Sequence, residues 1–95
     1  MPLYNVEYRP EVYSEDLRSI PRNLQKRILR AIEKRLMTKP TSYAVRLSQT
    51  LTGLWKMRVG DYRIVFEIQG HDVTVWAIRH RKDVYQEAER RWILE

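Results

Sequence analysis

Apolar residues follow a helical spacing in the first half of the chain and a strand-like spacing in the second. Partial alternation over residues 3–8 predicts a strand, which Pro10 ends. Residues 10–19 carry apolar side chains three or four positions apart and predict a first helix. Pro21 begins a second predicted helix, which extends to about Thr38. The apolar stripe of this second helix consists of Leu24, Ile28, Ala31, Ile32 and Leu36.

The second half contains three runs rich in β-branched and aromatic residues, at 54–59, 62–68 and 73–78. Two-residue turns that contain Gly60 and Gly70 separate these runs, and such turns are strong signals for β-hairpins. We therefore expect an antiparallel meander of three strands. The polar stretch at 40–53 before it predicts a connecting loop.

A short final helix is predicted from Val84 to about Trp92. Asp83 and Gln86 have the spacing of a helix cap and its reciprocal partner. The predicted order of elements is β-α-α-β-β-β-α. We expect an α+β fold in which a helical hairpin packs on an antiparallel sheet, as a single domain over residues 1–95.

The net charge is concentrated in the second predicted helix. The chain has 18 Lys and Arg against 12 Asp and Glu, a formal charge of +6. Residues 21–39 contain seven of these cations and one acid, so this segment equals the net charge of the whole chain. A basic helix of this kind is typical of a sequence-tolerant contact with nucleic-acid phosphates. The predicted nucleic-acid-binding residues are Arg22, Lys26, Arg27, Arg30 and Lys34, with Arg81 and Lys82 near the last helix.

Several kinds of site are excluded by composition. The chain has no cysteine, so a disulfide framework, a thiol nucleophile and a cysteine-based metal site are ruled out. Two histidines and scattered carboxylates show no metal-ligand spacing, and no glycine-rich phosphate loop is present. We expect no metal, no cofactor and no membrane partner. With no secretory leader pattern, the expected location is the cytoplasm.

The first strand of the predicted meander directs cations to one side. Lys56 and Arg58 alternate with apolar residues, and a two-residue turn pairs Arg58 with Arg63. Lys56, Arg58 and Arg63 should therefore share one face of the sheet. Like charges placed opposite each other destabilise a sheet. This face is either a solvated basic surface or an anion site in which Arg and Lys bind a phosphate.

A second basic cluster follows the last predicted strand and comprises Arg79, His80, Arg81 and Lys82, with Tyr85 one helical turn further on. An unshifted hairpin places His80 on the same face as Arg63. A register shift of one residue places Arg79 there instead. The spacing alone leaves this choice open.

Three segments resemble the RelE-type toxins of the RelE/ParE superfamily. The core motif is similar over residues 51–68, LTGLWKMRVGDYRIVFEI, and the C-terminal signature over residues 78–85, IRHRKDVY. The opening YNVEYRPE followed by DLRSIP is also typical of these proteins. The resemblance implies the RelE/ParE fold and a toxin of a type II toxin–antitoxin pair.

RelE-like toxins cut mRNA in the ribosomal A site without a metal, and the resemblance implies this activity here. The residues that it implies for the site are Lys56, Arg58, Arg63, Arg79 and Tyr85. His80 is a further catalytic candidate, because an arginine hardly donates a proton at neutral pH. Lys56 would be the general base, Arg58 and Arg63 would stabilise the phosphorane, and Tyr85 would orient a base. Arg79, His80 and Arg81 compete for the later catalytic role, because the chain between Arg63 and Tyr85 is shorter than usual. The best-known enzymes have a lysine where this chain has Arg58.

The resemblance also implies partners and an alternative activity. The expected partners are the ribosome, mRNA and a cognate antitoxin, with which the toxin would form a hetero-oligomer. The alternative is a ParE-like toxin that binds DNA gyrase without cutting RNA, or a relic that binds only its antitoxin. The apolar tail at residues 92–94 either packs on the sheet or contributes to antitoxin binding.

Overall fold

The computed structural model describes residues 3–94. Its five strands are β1 (Asn5–Tyr8), β2 (Ala44–Arg46), β3 (Leu54–Val59), β4 (Tyr62–Gln69) and β5 (Asp72–His80). Its two regular helices are α1 (Arg22–Leu36) and α2 (Val84–Leu94). The strands form one sheet in the order β1-β5-β4-β3-β2. The predicted α+β class, the meander of β3 to β5 and the final helix are therefore confirmed.

The sheet is larger than predicted and is mixed. The segment predicted as a loop at 40–53 contains the three-residue strand β2, which pairs antiparallel with β3. Strand β1 pairs parallel with β5, so the sheet is not antiparallel throughout. A three-residue strand is too short to show an alternating pattern, which explains why the spacing of apolar residues did not predict β2.

The first arm of the predicted helical hairpin is not a regular α-helix. A π-helical turn at Val12–Asp16 continues into a 3₁₀ turn at Leu17–Ser19. Val12 and Asp16 are both buried, and the wider π turn places their side chains on the protein side of the segment. The second arm, α1, begins after Pro21 as predicted. Among residues 3–94, no helix combines the length and the hydropathy that a membrane crossing requires.

The sheet lies between the two helices. On one face, Ile28, Ile32 and Leu36 of α1 belong to the same buried cluster as Met57, Ile64 and Phe66 of the sheet. On the other face, Val84 and Ala88 of α2 join Val65, Trp76 and Ala77. Both faces of the central strands are thus covered over most of their area. The end of the second face near the β3–β4 turn carries the side chains of Arg58, Arg63 and Arg79.

Tyr8 in β1 provides a test of this packing at alkaline pH. Burial, together with smaller contributions from the neighbouring Tyr13 and Glu33, raises the pKa of Tyr8 to about 12. An unfolded tyrosine ionises near pH 10, so the folded state resists ionisation between pH 10 and 12. The contribution of Tyr8 to the free energy of unfolding is therefore complete below pH 10 and is lost as the pH rises from 10 to 12.

We expect Tyr8→Phe to show a smaller loss of stability than the wild type between pH 9 and pH 11.5. Urea unfolding at the two pH values measures the difference, since the other tyrosines are common to both proteins. Equal losses in the two proteins would contradict the assigned burial of the Tyr8 hydroxyl.

Candidate active site

The β3–β4 hairpin brings the predicted cations together on one face. Val59 pairs with Tyr62 and Arg58 with Arg63 across the turn, as the spacing predicted. Gly60 has φ +60°, a conformation that this kind of tight turn requires and that glycine adopts without strain. Lys56 lies two residues before Arg58 and therefore projects to the same face.

A β-bulge decides which residue of β5 joins this face. Phe66 pairs with Val75, but Val65 pairs with Ala77, so Trp76 is an extra residue in β5. Beyond the bulge, Arg63 pairs with Arg79. The register is thus shifted by one residue, which was one of the two alternatives that the sequence left open.

His80 lies on the opposite face of the sheet. It pairs with Tyr62, and the centroids of the two rings lie 6.0 Å apart. Its Nδ1 lies 3.3 Å from the Lys82 backbone nitrogen, which donates to it. The structure therefore does not bring His80 to the cations of the hairpin. The expectation that His80 joins them is corrected, because the bulge at Trp76 reverses which side chains of β5 face α2.

The central feature of the candidate site is a row of three arginines, Arg58, Arg63 and Arg79, on adjacent strands. We call it the arginine row. Paired residues of antiparallel strands have Cα atoms about 4.5–5.5 Å apart, so the three guanidinium stems begin close together. Lys56 occupies the next position along β3. Tyr85, in the first turn of α2, places its ring centroid 5.4 Å from the Lys56 Nζ.

Two of the three arginines are held by neighbouring groups. Arg63 Nη1 donates to the carbonyl oxygens of Gly60 and Tyr62, both at 3.1 Å. Arg79 Nε donates to Asp16 Oδ1 at 2.7 Å. These contacts direct the two side chains apart, which reduces the repulsion between like charges. Within residues 3–94, the exposed Arg58 side chain forms no hydrogen bond or ion pair.

Asp16 and Arg91 are buried charged residues that the sequence did not single out. The Asp16 side chain is fully buried and is bound by Arg79, by Arg91 of α2 and by the Ile78 backbone N–H. Burial alone would lower the pKa of Arg91, but its hydrogen bonds and ion pairing with Asp16 outweigh this effect and raise it. No local pattern could have revealed the pair, because 75 positions separate the two residues.

The predicted nucleic-acid-binding residues fall into two groups. Arg22, Lys26, Arg27, Arg30 and Lys34 are all exposed on α1, which covers the face opposite the arginine row. Arg81 and Lys82 are exposed in the turn between β5 and α2. The Arg81 backbone N–H donates to Asp61 O at 2.8 Å, so Arg81 lies beside the β3–β4 turn. The second group therefore borders the arginine row, and Arg27 of the first group also reaches its end, because it lines a cavity together with Arg58 and Gly60.

One residue of the apolar tail packs on the sheet, and the other two are exposed. The Trp92 ring packs edge-on against Trp76 with a centroid distance of 5.0 Å, so this residue packs on the sheet. Ile93 and Leu94 are 60% and 74% exposed. They leave a small apolar surface at the end of α2.

The arrangement suits the recognition of a phosphate. Guanidinium groups present paired N–H donors that match phosphate oxygens, and an ammonium adds a compact charge. An aromatic ring at the edge of the site can stack on a base. In residues 3–94, no three His, Asp or Glu side chains meet in a way that could hold a metal ion. The groups that meet here are the guanidinium groups of the arginine row, the Lys56 ammonium and the Tyr85 phenol, with the Asp16 carboxylate bound to Arg79.

Three solved structures with the same fold are toxin–antitoxin complexes. The RelBE2 complex of Mycobacterium tuberculosis is 23% identical, with a TM-score of 0.77, and the match covers 85% of this chain and 100% of that one. The RelE–RelB complex of Pyrococcus horikoshii is also 23% identical, with a TM-score of 0.69 and coverage of 83% and 96%. The RelB–RelE complex of Methanococcus jannaschii has 23% identity, a TM-score of 0.61 and coverage of 84% and 95%. At this identity the likeness establishes the fold.

The amino-acid sequence, rather than the structural likeness, identifies the family of this chain. No curated protein matches the chain significantly. A family model described as the ParE toxin of a type II toxin–antitoxin system, parDE, matches residues 6–85, which include the whole arginine row. The chain therefore belongs to the ParE toxin family, within the RelE/ParE superfamily of type II toxin–antitoxin toxins.

Proposed function

We propose that this toxin inhibits translation by cutting mRNA in the ribosomal A site. The arginine row, with Lys56 and Tyr85 beside it, is the observation that carries the proposal. Three arginines paired across one sheet face are costly for folding unless an anion binds there. The phosphodiester of an mRNA has the charge and geometry that such a group of donors recognises.

The proposed reaction is an internal transfer at phosphorus. The 2′-oxygen of the mRNA forms a bond to the adjacent phosphorus, and the bond from phosphorus to the 5′-oxygen breaks. The products are a 2′,3′-cyclic phosphate and a 5′-hydroxyl. Lys56, in its neutral form, accepts the proton of the 2′-hydroxyl, and Arg58 and Arg63 stabilise the charge on the phosphorane oxygens.

The roles of Arg79 and Tyr85 follow from their positions in the candidate site. Arg79 stabilises the leaving 5′-oxygen as a hydrogen-bond donor, and the proton comes from solvent, because a guanidinium does not release its proton near neutral pH. Tyr85 orients the base next to the scissile phosphate by stacking. His80 receives no role, since it projects from the other face.

We infer that ribosomal RNA contacts the basic face of α1 and the turn that contains Arg81 and Lys82. Exposed Lys and Arg side chains of this kind bind phosphates. Phosphate contacts position a protein on RNA without specifying its sequence. Translation takes place in the cytoplasm, where we place the protein. A cognate antitoxin is the proposed regulatory partner, since the toxins of this fold cited above were solved as complexes with their antitoxins.

A second candidate function is inhibition of DNA gyrase. It is favoured by one observation, the match to a family model that is named for the ParE toxin of parDE. A toxin that only binds its target needs no cluster of arginines around a general base. The arginine row therefore favours the nuclease.

One pair of assays distinguishes the mRNA nuclease from the gyrase inhibitor. Purified toxin is added to a translation extract, the ends of the mRNA are mapped by primer extension, and gyrase supercoiling is measured in parallel. We expect cut mRNA and unchanged supercoiling. Intact mRNA would refute the nuclease, and intact mRNA with inhibited supercoiling would establish the gyrase inhibitor.

A further inference from the structure

Asp16 is a carboxylate whose hydrogen-bonding capacity is fully used. Its Oδ2 accepts from the Ile78 backbone N–H and from Arg91 Nη1, each at 2.9 Å. Its Oδ1 accepts from Arg79 Nε at 2.7 Å and from Arg91 Nη2 at 2.8 Å. A carboxylate offers about four lone-pair positions, so all of them are occupied. The residue joins the π turn, β5 and α2 at one buried point.

Asp16 binds the Arg79 guanidinium through a single nitrogen, Nε. Nε is held by Asp16, while Nη2 lies 3.5 Å from Oε1 of the half-exposed Glu15. A bond at Nε fixes the plane of the group, while Nη1 stays available to a phosphate and Nη2 faces only the half-exposed Glu15. Arg79 has 28% of its side chain exposed, so Nη1 can reach a ligand on the open part of the face.

The charge of Arg79 is only partly neutralised by this contact. One carboxylate is shared between two guanidinium groups, Arg79 and the buried Arg91. Glu15, which also approaches both, is exposed enough for water to screen its pairing. Asp16 can therefore hold Arg79 in one orientation while a positive charge remains for the substrate.

We propose that Asp16 is a positioning residue for Arg79, an inference that rests on the proposed mRNA cleavage. By holding Nε, it removes the rotamer freedom of a long side chain before the RNA binds. A misplacement of about 1 Å at a reacting centre can cost roughly a hundredfold in rate. Asp16 also holds α2 through Arg91, and because Oδ1 accepts from both arginines, the two roles are separated by experiment.

A double-mutant cycle distinguishes the two roles. Asp16→Asn, Arg79→Ala and the combined variant are compared by their maximal cleavage rate on mRNA-loaded ribosomes, corrected for the folded fraction. Asp16→Asn is expected to lower the maximal rate at least tenfold while ribosome affinity stays within about twofold. The combined variant should be no slower than Arg79→Ala. Effects that multiply, or an Asp16→Asn protein with the wild-type rate, would overturn the proposal.

Two further variants protect the test against a folding defect. Arg91→Met removes the other guanidinium from the same carboxylate and is expected to lower thermal stability with little change in the maximal rate. Arg79→Lys keeps the charge but replaces the planar guanidinium, whose orientation Asp16 fixes through Nε, by an ammonium without a fixed plane, so we expect a loss close to that of Arg79→Ala. Wild-type activity in Arg79→Lys would overturn the positioning role. If the wild type itself cuts no mRNA, the proposed function fails, whereas an active wild type with multiplying effects refutes the role of Asp16 alone.

Discussion

Arg63→Ala is expected to abolish mRNA cleavage and to leave the fold intact. Arg63 lies at the centre of the arginine row, between Arg58 and Arg79, where the charge on a phosphorane would develop. Loss of one preorganised donor to such a charge typically costs about 10²–10³ in rate. Its hydrogen bonds to two turn carbonyls contribute about 1 kcal/mol each, and removal of a like charge from the row offsets part of that loss.

The measurement is single-turnover cleavage of a defined mRNA on ribosomes, with thermal unfolding recorded on the same preparation. Arg46→Ala is the matched control, because Arg46 is an exposed arginine of the edge strand β2 whose guanidinium lies over Trp55, on the face opposite the arginine row. We expect the control to cut at the wild-type rate. An Arg63→Ala protein that is folded and fully active would refute the assignment of the site.

Removal of three cations from α1 is expected to weaken binding to the ribosome without changing the chemistry. In the variant Arg22→Gln, Lys26→Gln and Arg30→Gln, glutamine keeps a good helix propensity while the charges are lost. Each lost phosphate contact makes the slope of log affinity against log salt shallower by about 0.7–0.9. The slope should therefore change by about 2–3, and the affinity at moderate salt should fall by one to two orders of magnitude.

Ribosome binding at several salt concentrations provides this test, with the maximal cleavage rate measured at saturation. Glu33→Gln is the control on the same helix and is expected to bind at least as tightly as the wild type, because it removes the one acid among these cations. An unchanged salt slope in the triple variant would show that α1 does not contact the RNA. A lost maximal rate at saturation would contradict the separation of the two faces.

The local part of the site could be predicted from alternation and turn chemistry. A two-residue turn at Gly60 fixes the pairing of Arg58 with Arg63, and the period of a strand places Lys56 on the same face. The bulge at Trp76 could not be predicted in this way. Residues 75–78 are all buried because helices cover both faces of β5, so the alternation that would reveal a bulge is absent. Because of this one extra residue in β5, Arg79 rather than His80 lies on the same face as Arg63.

Long-range contacts account for the rest of the differences. Asp16 binds partners 62 to 75 positions away, and the local pattern around it indicated only a helix. The short strand β2 forms because the edge of β3 offers unpaired backbone groups to a passing segment. These features depend on the assembled fold, and the sequence near them carries no signal for them.

The chemistry of the cut RNA ends tests the central claim most directly. A labelled mRNA is incubated with the toxin, with and without ribosomes, and the ends of each fragment are identified. We predict a 2′,3′-cyclic phosphate and a 5′-hydroxyl at each cut, only when ribosomes are present, and no cuts with Arg63→Ala. Intact mRNA on toxin-bound ribosomes, or fragments that carry a 5′-phosphate, would contradict the proposed transfer at the arginine row.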